Sequence, residues 1–331
     1  MRRLKVDVES WPIAGAFAIS RGSRTEARVV VATIEAGAHK GRGECVPYTR
    51  YGETVEGIAE SIERFASAIA GGASRADLLA SLPAGAARNA LDCALWDLDA
   101  KTLGKRVHEL AGLPAPLPVT TACTLSLGTP ESMEAAACAA SHRPILKVKL
   151  GGDGDPERIA AVRRAAPRAT LIVDANEGWS EAAFAKNLAA CRAADVTLIE
   201  QPLPAGRDGL LASVSADDRG GLLFCADESV HTAEDLDAIA PRYQAINIKL
   251  DKAGGLTAAL HLKSEASLRE IKLEPFVKDF LRAKEEGKTG KIRRHRNPSA
   301  RSGVVENSAG LTAVCFHRFY HSQQLRAERV R

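Results

Sequence analysis

From residue 145 onward, short apolar runs alternate with alanine-rich segments of helical pattern, and each run ends on a polar residue. The runs are Ile145–Lys149, Leu171–Asp174, Val196–Glu200, Leu222–Asp227 and Ala245–Lys249. Their ends are separated by 25, 26, 27 and 22 residues. One strand, one helix and two short loops need about that much chain. Strands alternating with helices predict a parallel sheet. A steady step, with a polar residue at each C-terminal strand end, predicts a (β/α)8-type barrel whose site lies at that mouth. A doubly wound sheet is the competing architecture, but it gathers its site at one switch point and does not call for five polar strand ends in succession.

Upstream the pattern differs. Residues 3–9 and 28–35 alternate or run apolar with β-branched residues, bounded by Gly22 and Gly37, and read as strands. From about 54 to 112 the spacing turns helical, with Leu91, Ala94, Leu95 and Leu98 marking one buried face. Asp92, Asp97 and Asp99 of that stretch read as a solvated or interdomain face. The proline-rich stretch from Leu113 to Pro118 marks a boundary. The expected division is an α+β domain over 1–115 and a barrel domain over 116–264 that holds six units.

Composition adds a break near residue 264. The chain of 331 residues carries a net charge of +4, but residues 265–331 hold 15 basic and 8 acidic groups against 30 and 33 in the rest. Alanine falls from 52 to 6 across the same point. No apolar run approaches the roughly 18 residues that a bilayer span needs, and no apolar stretch of secretory length follows the basic N-terminus. The seven cysteines, at 45, 93, 123, 138, 191, 225 and 315, form no CxxC pair. They read as buried thiols of a reducing compartment, so a cytoplasmic location is expected.

The chemistry sits at the strand ends. Asp174, Glu200 and Asp227 close three successive strands and would converge in an arc. Three hard oxygen ligands suit Mg²⁺, and no His or Cys cluster favours zinc. Lys147 and Lys149 share one face of the strand before them, and Lys249 ends the strand after. A lysine near a divalent cation and other ammonium groups has its neutral form favoured, which makes it a plausible general base. Two such bases on opposite sides of a metal-held carboxylate are what inversion at an α-carbon requires.

These residues resemble a known family. Lys147-Val-Lys149, Asp174-Ala-Asn176, Glu200-Gln-Pro202, Ala226-Asp-Glu-Ser229 and Asn247-Ile-Lys-Leu-Asp-Lys-Ala-Gly-Gly255 are similar to the motifs of the enolase superfamily, and of its muconate-lactonizing subgroup in particular. Members of that superfamily pair a Lys or His base with Mg²⁺. Ile19–Ala27 and Gly43–Thr54 resemble the two capping-domain loops of L-Ala-D/L-Glu (dipeptide) epimerases. The resemblance covers residues 1 to about 264. It implies a capping domain on a barrel, with one Mg²⁺ per subunit on Asp174, Glu200 and Asp227. It makes Lys149 the base for the R-configured α-carbon and Lys249 the base for the S-configured one. Lys147 and Thr124 would contact the substrate, a small acidic dipeptide, and Arg24 would meet its side-chain carboxylate. Cycloisomerase, o-succinylbenzoate synthase and N-succinylamino-acid racemase activities belong to the same subgroup and stay open, as does a homo-oligomeric state.

The last 67 residues depart from that pattern. Ile271–Val277 would make a poor seventh strand because of Pro275, and Lys291–Asn297 is too charged for an eighth strand buried on both faces. Family members carry an Asp-x-Asp pair for the dipeptide's α-ammonium beyond this point, whereas no aspartate follows Asp279 here. A reading-frame change near codon 264, a divergent but closing end, and a basic tail with its own role are the three readings of 265–331. The frame change implies a catalytically impaired product. Arg293, Arg294 and Arg296 with Phe316, Phe319 and Tyr320 have no nucleic-acid motif around them and read as solvated charge.

Overall fold

Two sheets organise the chain. The computed structural model describes residues 1–273, the side chains of residues 14–18 and Arg24 excepted. The tail beyond, with Pro275, the Lys291–Asn297 segment and Cys315, lies outside the described residues.

The first sheet is antiparallel, in the order β1 (Arg2–Ile19), β2 (Gly22–Ala36), β3 (His39–Cys45). Both expected strands are longer than their apolar stretches. They form one hairpin from Arg2 opposite Ala36 to Ile19 opposite Gly22, with a register break between Pro12 and Phe17. The sequence reading missed β3, whose run His39-Lys-Gly-Arg-Gly-Glu-Cys45 offers almost nothing that favours a strand. Its glycines serve packing. A Cβ on Gly41 would lie 2.1 Å from the carbonyl oxygen of Ala94, and one on Gly43 would lie 1.9 Å from that of Ala90. The helix Ala86–Leu103 therefore rests directly on the β3 backbone.

That helix is buried on nearly every side, unlike the single apolar face its spacing predicted. One side covers the antiparallel sheet. The other holds the segment after Lys249: Arg88 donates to the carbonyls of Ala253 (2.8 Å) and Gly254 (3.1 Å), and Asn89 donates to Asp251 (2.6 Å). Asp92 accepts from the amide and hydroxyl of Thr257 (3.0 and 2.6 Å). Asp92 thus joins the two parts of the molecule. Asp97 and Asp99 instead turn inward to their own part, Asp97 to the amide of Arg42 and to Lys101, and Asp99 to Arg75.

The second sheet has seven parallel strands: β4 (Cys123–Leu125), β5 (Ile145–Lys149), β6 (Thr170–Asp174), β7 (Val196–Glu200), β8 (Leu223–Ala226), β9 (Ala245–Ile246) and β10 (Lys272–Leu273). Each pairs with its successor, and the order runs β4 to β10 without a reversal. A doubly wound sheet would reverse at a switch point, so the strand order favours barrel winding. Two expected strands are shorter than their runs. Asp227 follows β8, and Lys249 stands three residues past β9 as the residue before the helix Leu250–Ala253. The expected seventh strand is present in its first residues, with Lys272 beside Ala245 and Leu273 beside Ile246.

Side chains alternate across each strand. Ile172, Leu198, Cys225 and Ala245 cluster with Ala122, Ile145 and Leu223 on the inner face. Leu171, Val173, Ile199, Phe224 and Ile246 belong to the larger core against the outer helices. Counting two residues from the inner cluster along each chain reaches Thr124, Lys147, Asp174, Glu200, Asp227 and Asn247, and Lys149 and Lys249 lie two further on their own chains. The alternation delivers these polar groups to the mouth.

Among the described residues, no helix is long and apolar enough to cross a membrane. Of the six described cysteines, Cys45, Cys93, Cys191 and Cys225 are buried.

Candidate active site at the parallel-sheet mouth

Asp174, Glu200 and Asp227 are fully buried. Asp174 and Glu200 are direct partners across β6 and β7, as are Lys149 and Asp174 across β5 and β6. Such charges persist only when paired, and lysines pair them. Lys149 donates to Asp174 (2.6 Å) and to the Asn176 side chain (2.9 Å). Lys147 bridges Glu200 and Asp174, the latter at 3.2 Å. Lys249 donates to one oxygen of Asp227 at 2.5 Å, and Lys252 holds the other at 2.6 Å while also donating to the Asp227 main-chain carbonyl. Asn247 donates to the second oxygen of Glu200 at 2.9 Å.

The charge balance is uneven. Burial pushes the Asp174 and Asp227 carboxyls up, but their paired ammonium groups override it and hold both below the usual carboxylate range. Glu200 goes the other way, because burial and the Asp174 charge outweigh Lys147. Burial and the Asp227 charge push Glu228 up to about 7. One of its oxygens is buried without a hydrogen-bond partner. Lys249 is shifted as well. Burial opposes its charge, but Asp227 and neighbouring groups hold its ammonium well above the ordinary lysine range. Its neutral form is favoured when the Asp227 charge is engaged elsewhere.

The donor set, all carboxylate oxygen, suits a hard divalent cation, and Glu228 leaves one oxygen unpartnered. Among the described residues, no three carboxylate, imidazole or thiol groups are gathered to hold an ion as they stand. The ammonium of Lys147 stands between two of the three carboxylates.

The loops of the first sheet reach this mouth. Ser20 and Arg21, at the β1–β2 turn, donate to the carbonyl of Asn176 at 2.8 Å each, and Arg21 also holds Glu228 at 2.8 Å. Arg50 grips Glu177 through two nitrogens. Asn176 and Glu177 adopt left-handed backbone, φ 45° and 67°, a conformation that strains non-glycine residues. Tyr51 packs edge-on between Tyr48 and His231.

The structure therefore brings Lys147, Lys149, Asp174, Glu200, Asp227 and Lys249 together. Thr124 lies on β4 opposite Lys147. Arg24 has its backbone on β2 opposite Phe17, and its side chain lies outside the described residues. Sequence reading missed Arg21, Glu177, Glu228, Asn247 and Lys252 as site residues. Arg21, Glu228, Asn247 and Lys252 stood inside the quoted motifs, whereas nothing local marked Glu177.

Residues 1–112 match the mandelate racemase / muconate lactonizing enzyme N-terminal domain, and residues 131–280 match the enolase C-terminal domain-like family. The L-Ala-D/L-Glu epimerase of Escherichia coli K12 is 45% identical over 275 residues, which cover 82% of this chain and 84% of that protein. An enolase family member from Agrobacterium tumefaciens, with bound sodium and L-Ala-L-Glu, superposes with a TM-score of 0.79 at 48% identity, covering 82% of each chain. A dipeptide epimerase of Methylococcus capsulatus complexed with Mg and L-Arg-D-Lys gives a TM-score of 0.72 at 30% identity, over 82% of this chain and 80% of that one. With both of its domains matched and lysines and carboxylates gathered at one mouth, the chain belongs to the enolase superfamily, as a protein of the mandelate racemase / muconate lactonizing enzyme type.

Proposed function

We propose that this protein is a dipeptide epimerase that inverts the α-carbon of the C-terminal residue of L-Ala-D/L-Glu-like dipeptides by two-base 1,1-proton transfer. The observation that carries the reading is the placement of Lys149 and Lys249 at opposite ends of the Asp174–Glu200–Asp227 arc. The names of the relatives and the dipeptides bound in their structures support it. We assign residues 1–115 to the capping domain and 116–264 to the first six barrel units.

Asp174, Glu200 and Asp227 would hold one Mg²⁺, which when bound anchors the substrate carboxylate and offsets the charge left as the α-proton departs. Lys149 serves the R-configured α-carbon and Lys249 the S-configured one, so one removes the proton and the other returns one from the far face. Asp174 and Asn176 aim the Lys149 ammonium, and Asp227 aims that of Lys249. Lys147 and Thr124 line the substrate side of the adjoining strands. Arg24, on the hairpin whose turn reaches the mouth, would meet an acidic side chain. Ser20 and Arg21 dock that turn on Asn176 and so exclude water.

The test is incubation of the chain with L-Ala-L-Glu in D₂O with Mg²⁺. Deuterium is expected only at the glutamate α-carbon, together with formation of the D epimer; no label at that carbon refutes the reading. No aspartate follows Asp279 to hold the dipeptide's α-ammonium, so turnover slower than that of the Escherichia coli relative is expected. Cytoplasmic residence agrees with seven cysteines that form no CxxC pair and no framework spacing.

A further inference from the structure

Behind Asp227, away from the lysines, lies a buried polar cluster that the reaction does not use. Gln201 follows Glu200 in left-handed backbone at φ 37°, a strained position for a residue with a side chain. Its side-chain oxygen accepts from the amides of Asp227 (3.0 Å) and Ser229 (3.1 Å). Its side-chain nitrogen donates to the hydroxyls of Ser229 (2.8 Å) and Tyr243 (2.9 Å) and to the carbonyl of Leu203 (2.9 Å). One residue thus ties the end of β7 to the turn that carries Asp227.

An amide has two ends, and something must set which faces which. Both hydroxyls donate to the same oxygen of Asp208, at 2.6 Å each. Asp208 is fully buried, and Arg242 pairs with its other oxygen. A hydroxyl has one hydrogen. With that hydrogen committed to Asp208, Ser229 and Tyr243 present only lone pairs to Gln201. The NH₂ end must face them, which leaves the oxygen to face the two amides. Rotated by half a turn, Gln201 would set its oxygen against two acceptors and its NH₂ against two N–H donors. We infer that Asp208 is a positioning residue: its carboxylate fixes the sense of the Gln201 amide and through it holds the Asp227 turn in register. The role in ion binding rests on the proposed function, whereas the role in ordering the turn does not.

The test uses the full chain and two measurements, amide hydrogen exchange of residues 225–230 without metal and Mg²⁺ affinity by calorimetry. D208N is expected to speed exchange in that segment but not in β5, and to weaken Mg²⁺ binding by about 10–100-fold, the usual effect of losing a group that orients a metal ligand. Q201L should do the same, and the double variant should be little worse than either, since both act through one path. Should D208N fail to fold, Y243F keeps the charge and the ring, removes one hydroxyl, and should still raise exchange at 225–230 several-fold. Exchange in that segment unchanged in the folded variants, rising equally in β5, or showing independent multiplying effects overturns the inference. An unaltered chain that binds no Mg²⁺ refutes the proposed metal role, and the exchange arm still decides the positioning role.

Discussion

Arg50 lies against Glu177 in a two-pronged ion pair, with nitrogen–oxygen distances of 2.8 and 2.7 Å, and so joins the loop after β3 to the loop after β6. The same carboxylate accepts from Arg21 at 3.1 Å and from the amide of Ala205 at 2.8 Å. A side chain with four such bonds explains why Glu177 tolerates left-handed backbone. Both arginines are about one-third or more exposed, so solvent screens the pair. Glu177→Gln is therefore expected to cost only about 1 kcal/mol in urea unfolding. Its larger effect should be on KM, because it loosens loops that cover the substrate rather than groups that move protons. A fall in kcat with KM unchanged would contradict this.

Replacing one lysine should separate the two half-reactions. Lys149→Ala is expected to lose exchange from the D epimer of the glutamate residue and keep exchange from the L epimer. Lys249→Ala should show the reverse. Each should slow epimerisation by about 10²–10⁴-fold, the range for a positioned general acid or base. Proton NMR in D₂O, started from each epimer, reads both outcomes.

Metal removal should lower stability. At Mg²⁺ one hundred times its dissociation constant, binding to the folded chain alone adds about 2.7 kcal/mol. Chelation should therefore lower the melting temperature of the unaltered chain. Asp227→Asn should melt at the same temperature with and without Mg²⁺, because a carboxylate of the arc has been lost.

Gly43→Ala tests the packing of the long helix. The added methyl would meet the Ala90 carbonyl at 1.9 Å and the Ala94 amide nitrogen at 2.6 Å, both main-chain atoms within one helix. The helix must move off β3, at a cost of about 3 kcal/mol or more. Chemical denaturation measures this directly. Arg88, Asn89 and Asp92 hold the segment after Lys249 from that helix, so activity should fall with stability.

Asp92 predicts a pH effect of defined sign. Burial pushes its carboxyl above the usual range, and the Thr257 hydroxyl and amide offset this only in part. A folded-state value above the unfolded one means that the folded chain holds the proton more tightly. Its contribution is fully present below the ordinary carboxylate pKa, about 4, and is lost as pH rises through the raised value. The stability of the unaltered chain relative to Asp92→Asn should therefore fall as pH rises from that point. Paired melts across the acid range would show it, and a gap that widens with pH would refute it.

Much of the site was legible because a parallel strand makes a local pattern. Lys149, Asp174 and Glu200 end apolar runs, and period-two alternation then places them on one face without any knowledge of distant contacts. Asp227 and Lys249 followed from the constant step, although both stand past their strands. β3 was not legible, since its glycines are selected by a helix some fifty residues away and carry no strand signal of their own. The meeting of Arg21 with Glu177 was not legible either. Each is an ordinary charged loop residue until the two sheets dock, and sequence spacing does not encode which loop meets which.

The chain alone determined the winding, the ring of polar strand ends and the kinds of groups at the mouth, because each follows from hydrophobic periodicity and residue chemistry. Tertiary structure decided the electrostatic setting of those groups. Neighbours brought from other strands hold the Lys249 ammonium well above the ordinary lysine range, and burial with the Asp227 charge pushes Glu228 up to about 7. It also decided the sense of the Gln201 amide, since only folding brings Asp208, Ser229 and Tyr243 around it. Charge state and hydrogen-bond direction depend on distances across space, and distance along the chain does not specify them.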